Sequence, residues 1–443
     1  LLSLLFVKRP RNWIPESVFM TAVALRIIGS TARYQVLFLF YGGGSDAMVY
    51  YHDGLLYREM ALHSGLSFLS PDFWFGLSTT GGRWYGTPFM QKLSGLVLSF
   101  IGPTIRGEFL FFSVLSFTGL YLIAAAFKLY QPLDNAIQYC RWIWFFPTLW
   151  FWPSSVGKEA VTIFAIGLIT YGYAAKTYLI RWPIFLMGMG LTYCIRPHIT
   201  LVLGLATVTA HWLGSWRGIS LRRIVEGLLL LMITFWAFKG MTTLFGLDNP
   251  DMEGVQEYFS FRAGKTESGG SRIGATPLSL LGIPIAFIKI WMRPFPWEVH
   301  NVTAALAALE ILILMRLMWR RRSVIRHSLV NWRSHTLLRF AVPLFVFYTI
   351  MIGLAFSNLG IIARQRAPIL PFLLMIMLTE TRREQDSANF ELKQKQDNNI
   401  GELHDFKNPL LSKTSLEKHD QKYWTGMQLD GDDVDFEGLW EDD

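Results

Sequence analysis

Apolar runs recur from about residue 18 to residue 378 of this chain, and they leave few folds open to it. They lie near Val18–Phe40, Phe109–Phe127, Trp142–Trp152, Val161–Ala175, Pro183–Ile195, Ile199–Leu213, Ile224–Phe245, Val302–Met318, Phe340–Phe356 and Ile369–Leu378. The longer ones reach the ~20 residues that a helix needs to cross a hydrocarbon core. Two further apolar pieces, Met90–Ile101 and Leu278–Trp291, are short and read as re-entrant or interfacial helices. Only 17% of residues are charged, against about 25% in soluble domains. The reading is an all-α, polytopic transmembrane helical bundle with about 10 crossings. Residues 1–380 form this membrane domain, with polar outward loops expected at 41–89 and 247–276.

The net charge of +8 conceals a division. Residues 381–443 carry 8 Lys/Arg against 16 Asp/Glu and few apolar groups. This composition predicts a disordered acidic C-terminal tail that could recruit a protein partner. The remainder is strongly basic, which in a membrane chain serves topology and anionic membrane lipids. No nucleic-acid footprint is read from it. The basic connections Lys8–Arg11, Lys128–Arg141, Lys176–Arg181, Arg217–Arg223, Arg316–Arg339 and Arg382–Arg383 are assigned to the cytoplasm. The other connections then face outward, and both termini are expected to be cytoplasmic. The first apolar stretch lacks a small-residue cleavage pattern, so no cleavable signal peptide is expected. Cys140 and Cys194, the two cysteines, suggest neither a disulfide framework nor a metal cluster.

The outward connections hold the chemistry. The stretch Tyr41–Gly54 packs Gly42, Gly43, Gly44, Asp46, His52 and Asp53 behind the first span. A carboxylate at a membrane surface can serve as a general base, and Asp46 and Asp53 are the candidates. Such a carboxylate can also help hold a divalent metal, Mg or Mn, beside a lipid phosphate. Equally, Asp46 can cap the helix that follows. Pro153–Glu159 offers Lys158 at a helix start, a place for an anion. Arg196-Pro197-His198 interrupts a long apolar stretch, where charges are costly unless they face polar groups. Arg293 and Glu298, in a Pro- and Trp-rich connection, could pair. Arg364 and Arg366 are two guanidiniums at the outer surface, for which a bound phosphate or diphosphate is an explanation.

An acidic residue directly after the first span resembles the arrangement in membrane glycosyltransferases of the GT-C superfamily, and Asp46 is the matching position. Arg293–Glu298 and Arg364-Gln365-Arg366 look like motifs of multi-spanning proteins from bacterial polysaccharide clusters. The resemblance covers Val18 to about Leu378 in pattern. It departs from better-known members in lacking a paired Asp-Glu in the first loop and a soluble C-terminal domain. It implies transfer of a sugar from a polyprenyl-phosphate-linked donor to a glycan or lipid acceptor at the outer face of a bacterial inner membrane. Asp46, or less directly Asp53, would be the base or a metal-associated group; Arg196, Arg364, Arg366 and Lys158 would hold the phosphate. Three other readings stay open. An O-antigen-type polymerase or ligase would rely on Arg196 and His198. Interrupted helices also suit a transporter or flippase. A non-catalytic membrane subunit is the last.

Overall fold

The computed structural model describes residues 13–63, 68, 70–76, 84–175, 177–213, 220–245, 252–265, 273–274, 276–299 and 302–379. The acidic tail, the basic residues Lys8–Arg11 and, within the 247–276 connection, residues 247–251, 266–272 and 275 lie outside them. Among the described residues the regular elements are all helices, with no strand. The helices are α1 (Glu16–Tyr41), α2 (Asp46–His63), α3 (Pro71–Phe75), α4 (Thr87–Ile101), α5 (Ile105–Lys128), α6 (Leu133–Phe145), α7 (Pro147–Phe151), α8 (Lys158–Ala174) and α9 (Tyr178–Ile195). They continue as α10 (Pro197–Leu213), α11 (Leu221–Phe245), α12 (Met252–Lys265), α13 (Gly282–Trp291), α14 (Val302–Arg320), α15 (Arg322–Val330), α16 (Thr336–Ala355), α17 (Leu359–Arg366) and α18 (Leu370–Leu378).

The expected count of about 10 crossings is not supported. Among the described residues, four helices are long and apolar enough to cross a membrane: α1, α5, α11 over Leu221–Thr242, and α16. The pair α17 and α18, bent by 56°, makes a fifth if counted as one broken span. The shortfall has local causes. The expected span Trp142–Trp152 is broken at Phe146, whose extended backbone (φ −68°, ψ 125°) precedes Pro147 and separates α6 from α7. Proline disfavours helical geometry in the residue before it. Helices α8 and α10 have 17 residues each, or about 25 Å of rise.

The outward loop expected at 41–89 is also largely helical. α2 and α4 pack as a hairpin in which Gly54 and Gly95 admit close approach: a Cβ on Gly95 would lie 2.6 Å from Tyr57 Cβ. Within the 247–276 connection, α12 is a helix rather than a loop. Gly42 and Gly43 have φ of +55° and +82° and terminate α1, Gly43 N–H donating to Leu37 O at 3.0 Å. Helix termination thus accounts for these glycines without a ligand.

The core falls into two clusters. Phe117, Trp144, Tyr139, Phe340 and Phe372 join α5, α6, α16 and α18. A second cluster, including Leu37, Tyr50, Met90, Phe112, Val156, Val161 and Ile195, lies where α1, α2, α4, α5, α8 and α9 meet. α5 and α8 cross at Gly119 and Gly167, where a Cβ on either glycine would strike the other helix's backbone. Small residues at such crossings let helices approach closely.

Three of the basic connections come near one another in space. Tyr130 OH donates to Ala174 O at 2.8 Å, and Gln131 bonds His335 at 2.9 Å, joining three segments near basic connections. Lys158, Glu159, Arg196 and Arg364 meet in a different place. α8 runs from Lys158 to Ala174, so the two gatherings are about 25 Å apart.

Candidate functional site

Glu159 organises the second gathering. It is 2% exposed, in the first turn of α8, ahead of the apolar run that opens at Val161. Arg196 Nη2 donates to its Oε1 at 2.5 Å, and Arg364 Nη2 to its Oε2 at 2.6 Å. Gln365 completes the cluster: its Oε1 accepts from Arg196 Nη1 at 3.0 Å. Burial alone would push the Glu159 carboxyl up, but the guanidiniums of Arg364 and Arg196 outweigh it and hold the group below the usual carboxylate range. A buried carboxylate is tolerable only when paired in this way. Gly157 lets the chain enter α8 here; a Cβ at that position would lie 3.3 Å from Glu159 Oε2.

Around this clamp stand further charges. Lys158 donates to Thr87 Oγ1 on α4 at 3.0 Å. Burial, and then the Arg196 charge, push its ammonium down to about 8. Arg33, from α1, lies over the rings of Phe151 and Trp152 at 5.2 and 5.1 Å and is within electrostatic reach of Glu159 and Arg364. Asp46 is exposed at the start of α2. Its charge acts on Lys158, on Arg364 and on buried Tyr50 one turn away. The cations Arg33, Lys158, Arg196 and Arg364 therefore outnumber the anions Glu159 and Asp46. An excess of partly desolvated positive charge is suited to an anionic ligand.

The sequence-derived candidates divide into groups. Asp46, Lys158, Arg196 and Arg364 are brought together. Asp53 sits two turns along α2 from Asp46 and accepts from Gln91 Nε2 at 2.5 Å, which ties α2 to α4. Gln91 is one turn from Thr87, so Asp53 borders the cluster as a structural anchor. His198 is half-buried in the first turn of α10.

Arg366 departs from expectation. It is 2% exposed, and its Nη2 donates to Arg293 O at 3.2 Å. It and Arg364 meet different partners, because residues two apart on a helix face different directions. Arg293 pairs with Glu298 inside its own connection, where Glu298 Oε2 also accepts from Phe295 N–H at 2.8 Å. Arg293, Glu298 and Arg366 are thus a second group, with Glu310 acting electrostatically on Arg366. Asp46 follows Ser45, whose carbonyl starts the helix by accepting from Met48 N–H at 3.1 Å; Asp46 is the first helical residue rather than the cap.

Sequence reasoning passed over three buried carboxyls or their partners. Glu159 was signalled by the cations themselves: buried arginines need an anion, and Glu159 is a carboxylate in the neighbouring connection. Glu310 accepts from Thr148 N and Oγ1 at 2.6 and 2.5 Å, capping the proline-initiated α7. Glu108 is fully buried and accepts from Ser94 Oγ at 2.5 Å. Among the described residues, no group of three or more His, Cys, Asp or Glu could hold a metal ion. A divalent ion at Asp46 would need ligand oxygens for most of its shell.

The chain matches no protein-family model, no curated protein and no solved structure. The fold and site by themselves define an all-helical, membrane-associated bundle with a buried, cation-rich cluster at one end.

Proposed function

We propose that this protein transfers a sugar from a polyprenyl-phosphate-linked donor to a glycan or lipid acceptor at the outer face of a bacterial inner membrane, as a GT-C-like enzyme. The reading rests on one observation: an exposed carboxylate, Asp46, within electrostatic reach of Lys158 and Arg364, beside a cluster with an excess of cations. Glycosyl transfer from a lipid phosphate needs those two elements side by side. Cations hold the phosphate and stabilise the charge it gains as the sugar departs. A carboxylate takes the proton from the acceptor hydroxyl, a contribution of about 10²–10⁴ in rate. The apolar helices around the cluster suit a donor that arrives laterally from lipid. In this reading Arg196 and Arg364 do more than bind: through Glu159 they fix α8, the α9–α10 junction and α17 in register. Lys158 and Arg33 contribute charge to the phosphate. The basic connections face the cytoplasm, as do both termini, and the Asp46 end of α1 faces out.

The test is transfer by the purified, reconstituted protein supplied with a polyprenyl-phosphate sugar, with co-purifying lipid read by mass spectrometry. Asp46→Asn is expected to abolish transfer while retaining the donor; Arg364→Ala is expected to lose the donor. Full transfer by well-folded Asp46→Asn would refute the assignment. Recovery of a polyprenyl diphosphate carrying an oligosaccharide, with Asp46 dispensable, would instead identify a polymerase or ligase.

A further inference from the structure

At the other end of the molecule lies a charge excess that the proposed reaction does not use. Seven arginines fall between Arg316 and Arg339, and no Asp or Glu occurs from Ile311 to Thr379. Among the described residues none of these arginines has an ion-pair partner. Arg322 and Arg326 are exposed one turn apart on α15, with Ser323, His327, Val330 and Asn331 on the same face. These six side chains line a cleft of about 640 Å³. The opposite side of α15 is anchored, with Ile325 packed on the core and Ser328 fully buried. The cleft is therefore carried on a fixed helix.

The geometry points to this cleft as a binding site for the phosphate headgroup of an anionic phospholipid. Guanidiniums at i and i+4 on one helix face are spaced to share one phosphate, and the His327 imidazole, one turn below Ser323 in the same cleft, can meet glycerol or headgroup oxygens. The surroundings select a lipid rather than a soluble phosphate. Trp319 is 71% exposed and stacked under Arg322 at 4.9 Å, and Val330 is 72% exposed. Exposed aromatic and apolar groups mixed with arginine are the composition of a membrane interface. α16, an apolar candidate span of 20 residues, starts six residues after α15 ends, which sets the cleft at the level of headgroups.

The experiment uses the full chain in mild detergent, titrated with phosphatidylglycerol or phosphatidylcholine, with bound lipid counted by native mass spectrometry. Phosphatidylglycerol is expected to bind in preference. Arg322→Ala with Arg326→Ala is expected to weaken it about 25-fold, at about fivefold per arginine. Arg322→Lys with Arg326→Lys should retain most of the preference, which excludes misfolding as the cause of the loss. Arg320→Ala with Arg333→Ala, exposed arginines outside the cleft, should bind as wild type. The inference is overturned if the Arg322/Arg326 alanine variant keeps the preference. It is also overturned if the Arg320/Arg333 variant loses it equally, or if excess inorganic phosphate displaces the lipid.

Discussion

Replacing Glu159 by Gln tests whether the buried cluster holds the helices together. The side chain keeps its size but loses its charge. Arg196, 8% exposed, and Arg364 are then left facing a neutral amide whose NH₂ opposes their own donors. Removing one partner of a buried pair costs about 3–5 kcal/mol, because the remaining charge stays desolvated. Here one carboxylate serves two guanidiniums, which places the loss at the upper end of that range. In a chain of this size that corresponds to a fall in Tm of about 5 °C. The assay is thermal unfolding in mild detergent, followed by size-exclusion recovery after heating. Adding Arg196→Gln to Glu159→Gln should restore part of the loss, because the double variant buries one cation fewer. The carboxyl lies below its ordinary value when folded, so its stabilisation is present above about 4.5 and is lost only as the pH falls well beneath that. Wild-type Tm should therefore show no step from this group between pH 5 and 8. A Tm unchanged by Glu159→Gln would refute the reasoning, since it would mean that the cluster carries no net structural load.

Phosphate-ligand binding at the cluster should weaken as pH rises through about 8, where the Lys158 ammonium loses its proton. Lys158→Gln should remove that dependence, read as donor retention against pH. Gln91→Leu should leave Asp53 without its bond and loosen α2 from α4 by about 1–3 kcal/mol, seen as a lower Tm with the reaction still measurable. Gly167→Leu should abolish recovery of folded protein on size exclusion, because no room exists between α5 and α8 for any Cβ branch. Glu298→Gln should raise hydrogen exchange at the Phe295 amide about tenfold or more, by removing a charged acceptor.

Much of the architecture was legible in the sequence for a simple reason. Apolar runs and the distribution of Lys and Arg are one-dimensional signals, and membrane helices respond to both. The sequence grouped Lys158, Arg196 and Arg364 through an alternation of about 10 crossings, a count the described helices do not support; what brings Arg196 and Arg364 together is their shared bond to Glu159. What was not legible was the partner of each charge. Arg364 and Arg366 are adjacent but one in sequence, yet one meets Glu159 and the other the carbonyl of Arg293. Helical rotation, not spacing in the chain, decides which. The break at Phe146–Pro147 was visible as a proline, but the surrounding aromatic run masked its effect. The α2–α4 hairpin was hidden because its polar residues find partners within the fold rather than in water: Asp53 accepts from Gln91, and Ser94 donates to Glu108 of α5.

The cluster also explains why a carboxylate is buried among residues proposed to hold an anion. Four cations without Glu159 would repel one another across a desolvated space, and α8, α17 and the α9–α10 junction would splay. One buried carboxylate removes that repulsion while leaving the site short of negative charge. A phosphate that binds there does not need to displace Glu159, because Lys158 and Arg33 make no ion pair of their own among the described residues. The same arrangement makes function separable from stability. Glu159 variants should lose fold and ligand together, whereas exposed Asp46 has no structural bond to lose, so its substitution should remove chemistry alone. A variant of Asp46 that unfolded the protein would contradict this division as directly as one that left transfer intact.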